Sequence, residues 1–425
     1  MGGTGSYMNK LKLTTIITGI IACSSSTLFA QDKVEEFFKS IVPEGKLSVN
    51  YRLRSETVEQ DGATDDAEAF TQRLRLGYLT PEIEGFTFFI EGELVDTIND
   101  ESEYNAAGRY PAGRGKPIIA DPAAEELNQL WVNFKNEGNA LKVGRQIIAL
   151  DNQRWIGHVG WRQNIQTYDA VTFSSSAIAD WKLSYGYIDK VHRIFGDDWP
   201  DRAGPIGEFN SDTHILNATY SGFEFGKLTL FGYLVDLEEA AAASSATYGL
   251  LFGGSKKLNE DGHSLVYSVS LATQSDYGDN PNSYTATYFA GDLAYKVKAF
   301  QAGIGYELLG SDDGVAAISA PLATLHAFNG WADVFLGTPA GGLKDFYLYA
   351  TYKIPVGNGI VTKLFYHDYE SDHFDQDLGS ELNLLLAYKL TKQLTAVLKY
   401  ADFEQGDPFT AASREKLTLQ LDFVY

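Results

Sequence analysis

The side chains best suited to chemistry in this chain are arginines, and they gather in one polar connection. Between Val143 and Phe173 stand Arg145, Arg154 and Arg162, with Trp155, Trp161 and the amides Gln146, Asn152, Gln153, Gln163, Asn164 and Gln166. A guanidinium keeps its charge at ordinary pH and presents a planar fork of donors, while indole faces attract cations. That mixture suits non-covalent binding of carboxylates and hydroxyls. The same residues could also brace a packed loop, with the arginines neutralised by Asp151 and Asp169.

Signals for catalysis are weak. His158, His192, His214, His263, His326, His367 and His373 fall in no metalloprotease, nucleophile-elbow or phosphate-loop pattern. His367 and Asp368 near a strand top keep an outer-membrane hydrolase as the least favoured alternative. Cys23 is the single cysteine and lies in the N-terminal segment, so a processed chain has no thiol for a disulfide, a zinc site or a nucleophile. Acidic runs occur at 61–68 (DGATDDAE), at 368–377 (DYESDHFDQD) and at Asp197, Asp198 and Asp201 beside Trp199. A solvated rim explains them, and bridging to lipopolysaccharide through divalent cations is the other reading. None has the spacing of a calcium-binding loop, so no metal and no cofactor is assigned. The net charge of -22 argues against nucleic acid as a partner but permits a locally basic pore.

The elements that must position these residues are strands. Residues 1–30 read as a cleaved export signal: Lys10 and Lys12, an apolar run Leu13–Ala22 too short to span a bilayer, and Leu28-Phe29-Ala30 before Gln31. Residues 31–45 then form a short periplasmic segment, where Val34, Phe37, Phe38 and Ile41 have helical spacing. From residue 46 the pattern has period two. Leu47, Val49, Tyr51 and Leu53 alternate with Ser48, Asn50, Arg52 and Arg54, and the chain ends on Leu417, Leu419, Leu421, Phe423 and Tyr425 in one parity. That aromatic end resembles the insertion signal read by the barrel-assembly machinery. Tight connections at 80–85, 136–140, 177–180, 221–225, 258–262, 297–299, 355–359 and 391–393 alternate with long ones at 57–69, 97–125, 146–166, 190–212, 235–246, 274–283, 310–343, 371–378 and 403–414. Transmembrane barrels have short periplasmic turns and long outer loops. The prediction is therefore an all-β chain, one transmembrane antiparallel β-barrel over 46–425 with about eighteen strands. Tyr and Phe number 25 each at a mean hydropathy of only -0.18, as a barrel with one lipid face requires. Its surroundings would be outer-membrane lipid and lipopolysaccharide. A soluble sandwich or β-helix would account for an export signal but not for the lipid-parity rows.

Three ungapped pieces resemble the hallmark region of the alginate-export family of outer-membrane barrels: Gly144–Gln146 (GRQ), Leu150–Gly157 (LDNQRWIG) and Trp161–Ala170 (WRQNIQTYDA). Phe328–Asp345 (FNGWADVFLGTPAGGLKD) is a further piece. The resemblance implies an outer-membrane barrel in a Gram-negative bacterium and the secretion of alginate.

Parity places Arg52, Arg54, Arg73 and Arg75 inward, Arg52 near Arg73. Pairing across 80–85 is expected to set Glu91 beside Arg75 and Glu93 beside Arg73. Lys389, Lys399 and Lys416 also point inward and come round toward the same wall when the barrel closes. With Arg145, Arg154 and Arg162 converging on the lumen, the expected function is a channel for anionic solutes by facilitated diffusion, with acidic polysaccharide such as alginate as the upper end of substrate size. A general porin or structural barrel, whose arginines only satisfy the inward carboxylates, is the alternative. The long connections 97–125 and 310–343 are the candidates for an internal constriction.

Overall fold

A computed structural model describes Ser40 and residues 44–196, 207–407, 409 and 411–425. The export signal, the helical spacing of Val34, Phe37, Phe38 and Ile41, and the cluster of Asp197, Asp198 and Asp201 lie outside the described residues. Eighteen strands form the barrel. In chain order they are β1 Lys46–Gln60, β2 Ala67–Leu79, β3 Phe86–Thr97, β4 Ala124–Asn136, β5 Asn139–Gln146 and β6 Thr167–Ser175. Next come β7 Trp181–His192, β8 Glu208–Phe223, β9 Gly226–Val235, β10 Ser245–Lys257, β11 His263–Asp276 and β12 Thr285–Val297. The last are β13 Phe300–Leu309, β14 Leu343–Ile354, β15 Ile360–Glu370, β16 Asp377–Lys389, β17 Leu394–Gln405 and β18 Arg414–Val424. Each pairs antiparallel with its sequence neighbour, and β1 pairs with β18 from Asn50↔Val424 to Gln60↔Arg414. Closure leaves no edge, which matters because an unpaired backbone group in hydrocarbon costs several kcal/mol.

The two faces follow from pleating. Leu271, Leu293, Leu348, Leu364 and Leu382 are exposed large apolar side chains on alternate positions and mark the outer face. Charged and amide side chains of the opposite parity, among them Arg54, Glu56, Arg73, Glu93, Glu381 and Asn383, are buried inside. No helix among the described residues is long and apolar enough to cross a membrane.

One registration differs from expectation. Arg75 stands opposite Glu93 and Gly77 opposite Glu91, while Arg52 faces Arg73 as predicted. The β2–β3 turn is centred on Glu84 and Gly85, whose φ of 50° and 85° are those of a two-residue hairpin turn closed by the Ile83–Phe86 bridge. That centre lies toward the C-terminal end of 80–85, so β3 slides by two residues.

Candidate functional site

Two connections turn into the barrel instead of standing above it. Loop 147–166, between β5 and β6, touches inward side chains of β1, β2, β8, β12, β13 and β17. Loop 310–342, between β13 and β14, meets it there. The Gly157 amide donates to Leu322 O at 2.8 Å and the Thr324 amide to Gln153 O at 3.0 Å. Val159 N donates to Thr324 Oγ1 at 3.0 Å, and the Trp161 and His326 rings stack at 4.4 Å with 4° between planes. The sequence has the means for this close approach: Gly157 has no β-carbon, and one placed there would lie 2.8 Å from Thr324 N. The segments Leu150–Gly157, Trp161–Ala170 and the FNGWAD stretch therefore form one internal constriction. Loop 98–123 seats at the mouth, where its Arg109 donates to Phe195 O at 2.8 Å. Its Tyr104, Ala106, Tyr110 and Ile119 pack on Val58, Ala67 and Ala69 at the mouth of β1 and β2, and it sends Asp121 inward.

Charges hold the junction to the wall. Arg162 reaches Glu56 at 3.2 Å, Asp121 at 3.4 Å and Asp333 at 3.1 Å. Lys416 joins Asp333 at 2.6 Å, and Arg54 joins Asp121 at 3.3 Å with its guanidinium 4.2 Å from the Trp161 ring. Removal from water opposes charge on Arg162, but three carboxylates outweigh it and raise its pKa, so the guanidinium stays charged. His326 Nδ1 faces Asp333 Oδ1 at 2.5 Å, and its Nε2 takes the Lys399 ammonium. With a proton on Nδ1 and a lone pair on Nε2 the ring is neutral; burial pulls its pKa down to about 3, against the pull of Asp333. Lys399 sits between the Trp161 and Trp331 faces at 4.1 and 3.9 Å. Backbone does the rest. Arg52 donates to the carbonyls of Gly160, Trp161 and Arg162, and Arg73 and Arg75 each donate to Gln163 O at 3.1 Å. Further round the wall, on β16 and β14, Ala332 N donates to Glu381 Oε1 at 2.8 Å and Asn329 Nδ2 donates to Asp345 Oδ2 at 3.0 Å.

The expected residues divide accordingly. Arg52, Arg54, Arg73, Arg75, Arg162 and Lys399 come together on one stretch of the inner wall, with Glu93 paired to Arg75. Arg154 lies across the lumen, its Nε 2.9 Å from Glu307 Oε1, though poorly aligned for a hydrogen bond, and over the Phe328 ring. Glu91 accepts from Gln129 at 2.9 Å and from Asn128 at 2.6 Å. Asp151 neutralises no loop arginine; it accepts from Asn217 of β8 at 2.8 Å. Arg145 and Asp169 are a correction. They pair at 2.9 and 3.1 Å on the parity of Leu141, Val143, Val171 and Phe173, which is the outer face, so neither lines the lumen. The β-bulge opposite Asp169/Ala170 falls on β7, where Asp189 is passed over, and leaves the alternation of β5 and β6 intact. Lys389 points inward but ends β16 at the short-turn end, away from the arginines.

Sequence reasoning passed over Glu56, Asp121, Asp333 and Glu307, and gave His326 no role. Glu56 was open to the parity argument, being two positions beyond Arg54. The loop residues carried no spacing signal. Among the described residues no group of His, Cys, Asp and Glu is arranged to hold a metal.

A closed eighteen-stranded antiparallel barrel with loops folded into its lumen is the fold of outer-membrane porins. Residues 44–186 match the family model described as alginate export, which takes in the Gly144–Gln146, Leu150–Gly157 and Trp161–Ala170 pieces and leaves Phe328–Asp345 outside it. The chain is similar in structure to Acinetobacter baumannii OccAB3 (16% identity, 90% of this chain and 100% of that one, TM-score 0.70). It is also similar to Acinetobacter baumannii OccAB2 (14% identity, 90% and 98%, TM-score 0.71) and to Pseudomonas aeruginosa OpdK with vanillate (14% identity, 89% and 98%, TM-score 0.69). No curated protein sequence matches the chain.

Proposed function

We propose that the chain is an outer-membrane channel through which anionic solutes diffuse past the constriction made by loops 147–166 and 310–342. One observation carries this reading. The inner wall and the loop docked on it bring Arg52, Arg54, Arg73, Arg75, Arg162, Lys399 and Lys416 against Glu56, Glu93, Asp121, Asp333 and Asp422. Glu91 and Glu126 share that wall, so it is not the number of cations but one uncompensated guanidinium that sets the local field in a protein acidic as a whole. Arg73 has no carboxylate partner among the described residues, and its Nε is unpaired. A low-dielectric wall strengthens that field, and salt weakens it over a Debye length of ~10 Å at 0.1 M. Conduction requires that each such site bind weakly enough to release its anion. Acidic polysaccharide such as alginate is the upper end of this substrate class.

A general porin is the second reading, favoured by one fact: nearly every arginine of the wall already has a carboxylate or a loop carbonyl. Reversal potentials across a planar bilayer in a salt gradient separate the two. The first reading expects anion preference in the wild type, reduced in Arg73→Gln/Arg75→Gln and most clearly in dilute salt. Cation preference or none in the wild type would remove it.

A further inference from the structure

The short-turn end of the lumen carries a second population of cations that the constriction does not use. Lys182 on β7, Lys227 on β9, Lys296 on β12, Lys353 on β14, Lys363 on β15 and Lys389 on β16 all lie within four residues of that end. Strand register puts them on the inward parity. Lys227 pairs with Gly253, beside the outward Phe252, and Lys296 pairs with Ser264 and Gln301. Lys353 pairs with Val361 and Lys363 with Thr351 and Leu385. All six are exposed, so they face the water of the vestibule. None has a carboxylate within salt-bridge distance among the described residues, whereas Lys257 close by is paired with Glu260 at 2.8 Å. Inward carboxylates are scarce at this end. Asp422 is held by Arg52, Asp151 of the constriction loop accepts from Asn217 and lies toward Lys182 beyond salt-bridge distance, and Asp292, further up, accepts from the hydroxyls of Tyr347 and Tyr349. The opposite end has the reverse sign, with Asp61, Asp65, Asp66 and Glu68 at its rim.

Unpaired ammoniums around one aqueous mouth repel each other unless anions stand between them. A ligand with several carboxylates satisfies many at once and releases the small counterions they hold. A lysine is a hydrated point charge on a flexible stem, so such a ring selects for charge number and tolerates variation in shape. We propose that the periplasmic vestibule is a binding site for multivalent, polycarboxylate-type anions, distinct from the arginine-braced constriction. It gathers these anions on the periplasmic side and makes the lumen electrically asymmetric from end to end. Its transport meaning rests on the channel reading above; the binding does not.

The test uses fluorescein-labelled poly-L-glutamate and the full chain purified in detergent, read by fluorescence anisotropy. Saturable binding is expected, weakened by salt and weakened about tenfold or more in Lys182→Gln/Lys227→Gln/Lys296→Gln/Lys363→Gln. Lys256→Gln/Lys298→Gln/Lys392→Gln removes charge from the same end but from the outer face and the turns, and should leave binding unchanged. Heat-modifiable migration shows that both variants are folded. No saturable binding to the wild type, or equal loss in both variants, would overturn the site. Bilayer conductance separates the two proposals: conduction without polyglutamate binding removes the site and leaves the channel, and binding without conduction does the opposite.

Discussion

At the scale of single residues, the buried charges act as fasteners before they act on solutes. Arg162 is 7% exposed at its side chain and holds Glu56, Asp121 and Asp333 together. Removing one partner from a buried ionic network leaves the others uncompensated, at a cost of about 3–5 kcal/mol. Arg162→Ala should therefore free the docked loops, seen as larger, noisier single-channel currents and faster proteolysis within 310–342. Unchanged currents and cleavage would show that the backbone contacts suffice. His326 gives a pH dependence with a definite sign. Its pKa in the docked state is about 3 against an ordinary 6.5. Between those values a released loop takes up a proton that the docked one refuses, so docking is most stable above pH 6.5 and weakens as pH falls toward 3. Conductance recorded over that range should rise on acidification, and His326→Gln should remove the step.

At the scale of elements, the constriction depends on how closely two loops can lie. Gly157 and Gly330 are the places where bulk is excluded, the first against Thr324 and the second, with φ at 86°, against the Glu381 carboxylate. Gly157→Val should separate the loops while leaving the strands intact. The expected result is a heat-modifiable barrel with raised conductance; a barrel that fails to assemble would mean that the junction also guides folding. Loop 98–123 serves differently. Its aromatic cluster seats it on β1 and β2, and Asp121 extends from there to Arg54 and to the Gln163 amide at 2.8 Å.

At the scale of the whole molecule, closure is the decisive event. Tyr425 and Val49 exchange backbone hydrogen bonds of 2.9 and 3.1 Å, so the last residue completes the seam between β18 and β1. Deleting Tyr425, or replacing Phe423 and Tyr425 with Ser, should lower the amount of heat-modifiable barrel in the outer-membrane fraction. Undiminished barrel in that fraction would deny the C-terminal row its part in insertion.

Period-two alternation and the order of short and long connections were enough to define about eighteen strands and the inward parity of Arg52, Arg54, Arg73 and Arg75. These are local properties: pleating alternates side chains whatever the strand pairs with. The β2–β3 register was not legible, because it hangs on where a two-residue turn centres. Arg145 and Asp169 were misplaced because they belong to a segment read as one lumen loop, whereas the alternation of β5 and β6 runs unbroken through both and turns them outward. The sequence also displayed both halves of the constriction as unusual segments. That Leu150–Gly157 and Trp161 reach residues 322–333 inside the lumen was decided only by the tertiary structure. Loop residues obey no period, and contacts such as Arg162 with Glu56 and Asp333 exist only once the barrel has closed around them.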